Sequence, residues 1–291
     1  MIKIAHISDL HLDTEKRPNC IDEIEFLLEK ILETGHDHIA ITGDVVDVAN
    51  YDDLYRLREV FLRLGILNWE KVTLIPGNHD IFGKYEVIPE GFAATLKTTA
   101  TRAMESKGLG YAKKLHEFCD IFRETITDDT EIKEYFPFVK ILTNGELKVS
   151  LISFNSVLEW SLNINPTGAR GYVHASERFG IRHPDILKSL SDTFPIALFH
   201  HAYFLFEPKS PTDKAFIWSM ELIEKEAFLE TLKKIGVKIA LHGHYHRQEK
   251  YLVEDILFLN SGSVKRSASS INSLTVHPDF SISQSFHRLH D

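Results

Sequence analysis

The sequence predicts an α/β fold on three observations. Strand-like and helix-like segments alternate through the opening third, an Asn144-Gly145 pair separates two apolar runs further on, and the C-terminal end is rich in strand-like stretches. Residues 2–7 read as a strand. Ile21–Glu33 reads as an amphipathic helix with Ile21, Ile24, Leu28, Ile31 and Leu32 on one face and Gly35 placed to stop it. A strand over 38–42, a helix over 52–64 ending at Gly65 and a strand over 71–75 ending in Pro76-Gly77 complete a β-α-β-α-β run, which calls for parallel pairing. Val139–Leu142 and Leu147–Phe154 flank the Asn-Gly pair, a strong hairpin signal that adds antiparallel strands. Further strands are expected over 196–199, 237–241, 256–259, 274–277 and 281–287, and helices over 176–190 and 221–235.

Residues 83–137 break this rhythm. They are helix-compatible over 93–106 and 111–125, with Gly108-Leu-Gly110 between, and read as a helical insertion within one domain spanning 1–291. No linker-like stretch, repeat or low-complexity tract divides the chain.

The 291 residues are 43% hydrophobic and 26% charged, the proportions of a globular chain, and the formal charge is −9. That sign disfavours duplex nucleic acid as a partner, and an anionic substrate would need local help such as metal ions. The start shows no signal-peptide pattern, and the apolar stretch 194–206 is too short and too polar to span a bilayer, so a cytoplasmic protein without a membrane segment is expected. Cys20 and Cys119 lack CxxC partners, which excludes a disulfide framework or zinc ribbon.

Sixteen histidines are the odd feature of the composition, and several are clustered. Predicted strands end in Asp9-Leu-His11, Gly43-Asp44-Val-Val-Asp47, Gly77-Asn78-His79-Asp80, His200-His201 and His242-Gly-His244-Tyr-His246. Ligand sites of open α/β sheets collect beyond the carboxyl ends of strands, so these distant loops can converge. Oxygen and imidazole donors without thiolate suit Mn²⁺, Fe or Zn²⁺. Asp after a strand commonly serves a turn, and for Asp44 alone that would suffice; five such loops together point to metal chemistry.

The set D-x-H, G-D-x-x-D, G-N-H-D, H-H and G-H-x-H, in this order from Asp9 to His246, resembles the calcineurin-like metallophosphoesterase superfamily. The resemblance implies a four-layer α/β/β/α sandwich of two mixed sheets holding two divalent metal ions. Asp9, His11 and His246 would bind the first metal, Asn78, His200 and His244 the second, and Asp44 would bridge them. Two such ions can share a carboxylate and a hydroxide that attacks phosphorus, which reconciles an acidic protein with an anionic substrate. His79 is then free to stabilise or protonate the leaving oxygen, with Asp47 orienting it and Asp80 as the alternative.

Ala202 stands where many relatives follow the His pair with proline. The histidine of Gly77-Asn78-His79-Asp80 disfavours the lipid A pathway pyrophosphatases, which carry arginine there. Phe154-Asn155-Ser156 with Gly168 and Gly171 loosely resembles the cyclic-nucleotide and glycerophosphodiester phosphodiesterase branches. Arg170, His201 and Asn155 are the substrate-binding candidates, and Tyr203, Phe204, Phe206, Phe216 and Trp218 form either an apolar substrate wall or core. His6 reads as a packed strand residue, His242 as structural, and His36 and His38 among the surface or loop histidines. The expected activity is hydrolysis of a phosphodiester or monoester of a small molecule. A nuclease of the DNA-repair branch and a catalytically silent scaffold are the alternatives.

Overall fold

Three strands near the N-terminus, β1 (Ile2–Ile7), β2 (His38–Thr42) and β3 (Val72–Ile75), pair in parallel, as their nearly continuous buried runs require. The computed structural model that shows them describes residues 1–82, 110–128, 134–264 and 270–288. Helix α1 (Cys20–Glu33) crosses from β1 to β2 and buries Ile24, Leu27, Leu28 and Ile31. Helix α2 (Tyr51–Arg63) crosses from β2 to β3, with the Asn50 side chain accepting from the Asp52 N–H at its start. Strands β12 (Ser270–Val276) and β13 (Ile282–Arg288) join antiparallel beyond β1, giving the order β13-β12-β1-β2-β3.

A second sheet begins with the hairpin β4 (Phe138–Asn144) and β5 (Leu147–Ser153), turned at Gly145 with φ 62°. It continues through β7 (Phe194–Leu198), β9 (Ile239–His242), β10 (Gln248–Val253) and β11 (Ile256–Ser261) in the order β10-β11-β9-β7-β5-β4. Short strands β6 (Gly171–Tyr172) and β8 (Leu222–Ile223) pair apart.

The two-residue period of the second sheet builds the layers. Leu151, Ile196, Leu198, Ile239, Leu241 and Leu259 share one core with the first sheet, α1 and α2. Their neighbours Ile152, Ala197, Phe199, Ala240 and Phe258 face the other way, against Phe228, Leu229 and Leu232 of a helix over Lys225–Lys234. The result is the helix, sheet, sheet, helix stack that the motifs imply.

The elements depart from expectation where local chemistry intervenes. The helix expected over 176–190 is two, α5 (Ala175–Gly180) and α6 (Pro184–Leu190), because Pro184 forces His183 out of the helical region to ψ 137°. That expected over 221–235 starts late, as the Lys225–Lys234 helix, after β8 and a left-handed Glu224. Helix α7 (Pro211–Met220) escaped prediction because it buries no residue and shows no apolar stripe; the Lys225–Lys234 helix is α8. Within 83–137, the expected helix over 93–106 lies outside the described residues. The one expected over 111–125 is α4 (Gly110–Ile121) followed by a 3₁₀ turn over Arg123–Thr125. Helix α3 (Asn78–Phe82) precedes it.

Several polar residues are buried against expectation. His36 bonds Thr34 and Ser273, and His38 bonds the Glu70 carbonyl and Thr73, so neither is a surface histidine. His6 is packed as read, between Thr42 and Asn272, and burial pushes its imidazole down to about 3. Lys140 donates to the Val72 carbonyl at 2.6 Å and the Thr125 carbonyl at 2.7 Å, tying β4 to β3 and the 3₁₀ turn; burial holds its amine well below the usual lysine range.

Candidate metal centre

The five sequence motifs meet at the carboxyl ends of strands from both sheets. Asp9 and His11 follow β1, Asp44 follows β2, and Asn78 opens α3 after β3. His200 follows β7, and His244 and His246 follow β9. Five of these residues have left-handed backbones: Asp9 (φ 54°), His11 (48°), Asp44 (53°), His244 (73°) and His246 (56°). Each such residue costs about 1 kcal/mol or more, so strain is concentrated here and the surroundings must hold it.

Asp80 and Asp9 supply much of that hold. The Asp80 carboxylate accepts from the Gly77 N–H (2.7 Å), the Asp44 N–H (2.9 Å) and the Val46 N–H (3.1 Å), pinning the β2 and β3 loops together. Burial and the neighbouring Asp44 charge push its carboxyl up to about 8, against those donors. The Asp9 carboxylate accepts from the His244 N–H at 3.1 Å, joining the two sheets. Glycine is required beside both: a Cβ at Gly77 would lie 2.2 Å from Asp44 Oδ1, and one at Gly243 would lie 1.9 Å from Ser8 Oγ and 2.3 Å from Asp9 Oδ2.

Three donor clusters result among the described residues. Asp9, His11, Asp44 and His246 form the first; Asp44, His200 and His244 form the second and share Asp44 with it; His11, Asp47 and His79 form a third, which shares His11 with the first. His246 Nε2 lies 3.1 Å from Asp9 Oδ1 and 2.9 Å from His11 Nε2, while His200 Nε2 lies 3.2 Å from Asp44 Oδ2. Asn78 Oδ1 and His244 Nε2 are buried without a protein partner.

Outer contacts fix how the rings present themselves. His200 Nδ1 donates to the Thr42 carbonyl at 2.7 Å and Nε2 faces Asp44; burial opposes the charged ring, but the Asp44 carboxylate outweighs it and pushes the imidazole up to about 9. His11 Nδ1 lies 3.1 Å from the Asp47 carboxylate, leaving Nε2 for the first cluster. Burial opposes the Asp44 charge, but His200, His79 and His11 outweigh it and hold the carboxyl well below the usual range. Burial also holds His244 well below the usual histidine value, as a neutral ligand needs. Carboxylate, amide and imidazole donors, with a shared carboxylate and buried orphan atoms, fit two divalent cations.

The remaining predicted residues are placed differently. His79 Nδ1 donates to the Asp47 main-chain carbonyl at 2.9 Å, whereas the Asp47 carboxylate is 4.0 Å from that nitrogen and sits nearer His11. Asp47 therefore orients His79 through its backbone and His11 through its side chain. Asp80 does not contact His79 as a carboxylate partner; its oxygens are occupied by main-chain N–H groups. Arg170 is not left free for substrate: its guanidinium pairs with Glu221, donates to the Ile164 carbonyl at 2.6 Å and lies over the Trp218 ring. Asn155 is likewise engaged, donating to Tyr111 Oη and accepting from the Val157 N–H. His201 lies beside the second cluster, its ring 4.5 Å from that of His244, but outside the donor groups. His242 bonds Tyr251 and stacks on Phe199, a structural role. Ser156, quoted in the Phe154-Asn155-Ser156 motif but given no role of its own from sequence, meets both His200 and His201 through its hydroxyl.

Glu177 lies behind Asn155, accepting its N–H at 3.0 Å, and burial pushes its carboxyl up to about 8. The folded state holds this proton more tightly than the unfolded chain does. The stabilisation is complete below the unfolded glutamate value of about 4.3 and is lost as pH rises toward about 8. Glu177→Gln is expected to melt higher than the parent at pH 8 and to show a flatter pH dependence. Equal melting curves at pH 5 and pH 8 in both proteins would refute this.

Comparison with known proteins agrees with the geometry. The family model described as calcineurin-like phosphoesterase matches residues 2–248. Among curated proteins no significant match is found. A dimetal phosphatase from Danio rerio superposes with a TM-score of 0.58 at 11% identity, covering 100% of this chain and 97% of that one. The purple acid phosphatase PPD1 from yellow lupin (Lupinus luteus) seeds gives a TM-score of 0.59 at 13% identity, covering 99% of this chain and 51% of that one. The 5'-nucleotidase from Candida albicans gives 0.52 at 13%, covering 99% and 52%. At these identities the likeness is one of fold.

Proposed function

Since the chain belongs to the calcineurin-like phosphoesterase family, we propose that it hydrolyses a phosphodiester of a small organic molecule with two divalent cations, manganese first. Asp9, His11 and His246 would hold one cation, Asn78, His200 and His244 the other, and Asp44 both. The observation that carries this reading is the convergence of two buried donor clusters on the shared Asp44, with His79 beside it. Cations bound there supply positive charge for the phosphate and lower the pKa of water to make a nucleophile at neutral pH.

The protein's own part in the leaving-group step falls to His79. Its Nδ1–H is held by the Asp47 carbonyl, and its side chain is 18% exposed, 3.9 Å through Nε2 from Asp44 Oδ2. With Nδ1–H on the Asp47 carbonyl, a proton delivered to the leaving oxygen would come from Nε2–H of the imidazolium, which is left as the neutral Nδ1–H ring on the same carbonyl. The organic group of the substrate is supported by an aromatic stripe. Tyr245, between His244 and His246, stacks on Phe206 at 5.9 Å, and Phe206 on the exposed Phe216 at 6.0 Å. Tyr203 packs on Phe258 and belongs to the packing below, whereas Phe204, against Tyr251, is itself exposed.

Hydrolysis of bis-p-nitrophenyl phosphate with Mn²⁺ tests the reading. His79→Ala is expected to lower kcat by about 10²-fold or more while metal content stays at the parent level. A parent-like rate would remove His79 from the mechanism, and inactivity of the parent on diesters, cyclic nucleotides and glycerophosphodiesters alike would overturn the substrate class.

A further inference from the structure

We propose that the ends of β7 and β9 remote from the metal centre form a second binding site, for a small amphipathic acid with one anionic head on a hydrocarbon or aromatic body. A cavity of about 730 Å³ opens there, between the β12–β13 turn of one sheet and the amino ends of β7, β9 and β11 of the other. Its volume is in the range of small-molecule sites. The floor is apolar and buried: Leu190, Phe194, Ile235 and Ile239 are each 6% exposed or less. The rim is not, because Phe280 and Ile282 stay 48% and 37% exposed and leave apolar surface facing the opening.

Phe280 occupies a turn position that suits glycine. Its φ is 62°, in the left-handed region where a bulky side chain is strained, within a turn closed by its own N–H on the His277 carbonyl and by the His277 N–H on the Ser281 carbonyl. The ring so placed meets Phe194 of the other sheet, 5.9 Å between centroids, and a body seated in the cavity would complete its burial. Charge assigns the head. Lys234, the last residue of α8, and Lys238, just before β9, line the cavity, exposed and without an ion pair among the described residues, whereas the adjacent Lys233 pairs with Glu254 at 2.6 Å. Asp255 is the one carboxylate on the lining, so this wall is net positive in a chain of formal charge −9. The apolar floor takes a body out of water, and the lysines at the mouth attract an anionic head and repel a cationic one.

Calorimetry of the full chain with decanoate tests the site, with chelator present so that the carboxylate has no cation to bind at the other end of the strands. One decanoate per chain is expected, and octanoate should bind about tenfold more weakly, since each buried methylene is worth about fourfold in affinity. The double variant Lys234→Glu, Lys238→Glu is expected to lose about tenfold for decanoate and to bind decyltrimethylammonium, which the parent rejects. Phe280→Gly should also weaken decanoate while melting close to the parent, because a strained residue leaves together with a half-exposed ring. Both lysines are exposed, so their variant decides the matter whatever Phe280→Gly does to folding. Absence of saturable decanoate binding, equal affinity of the parent for decyltrimethylammonium, or parent-like affinity in the lysine variant would each overturn the proposal. So would a concentration-dependent dimer that Phe280→Gly dissociates, which would give this face to a second copy of the chain.

Discussion

Asp44→Asn is expected to reduce diester hydrolysis on the order of 10³-fold, about 4 kcal/mol of transition-state stabilisation. The carboxylate belongs to both of the clusters assigned to cations, and no other residue is common to those two. Asparagine keeps the shape and can still accept the His79 N–H that Oδ1 accepts at 2.8 Å. It removes the charge that opposes two cations, and its amide nitrogen offers no lone pair at the position of Oδ2. Both metal content and kcat should fall together, whereas His79→Ala lowers kcat alone. Atomic absorption on the dialysed variants separates the two; two tightly held cations in Asp44→Asn would contradict a bridging role.

Asp80→Ala is expected to destabilise the metal-free protein by about 3 kcal/mol or more in urea. The substitution leaves the main-chain N–H groups of Gly77, Asp44 and Val46 without their acceptor, and each buried orphan costs about 1–3 kcal/mol. Asp80→Asn should fall between, because its single carbonyl oxygen can keep the pair now on Oδ2 while its NH₂ faces the Val46 donor. Measuring with chelator present isolates this scaffold effect from ligand loss. A shift within 1 kcal/mol of the parent would mean that the strained turns are held by other contacts.

The members of the donor clusters were legible because their chemistry is local: Asp9-Leu-His11 or His244-Tyr-His246 places two potential donors on one short loop at a strand end. The layered fold was legible from the same strand rhythm, since a period of two in β7 and β9 sets one row of side chains toward each core. What escaped depends on partners distant in sequence. Nothing near Arg170 announces that Glu221 will claim it, and nothing near Lys140 announces the Val72 and Thr125 carbonyls. Asp47 meets His79 with its main-chain carbonyl and His11 more closely with its carboxylate, a division that spacing cannot announce. Helix α7 was invisible for a simpler reason: a helix that buries nothing has no stripe to read.

The contact of His200 Nδ1 with the Thr42 carbonyl, and that of Asp9 with the His244 N–H, each join a loop of one sheet to a loop of the other. The site is therefore a gauge of how the sandwich is assembled. A slide of one sheet over the other by a single residue, about 3.3 Å, exceeds any donor's tolerance and would dissolve both clusters at once. Substitutions in the shared core that leave each sheet intact but alter their registry should therefore extinguish metal binding well before they unfold the chain.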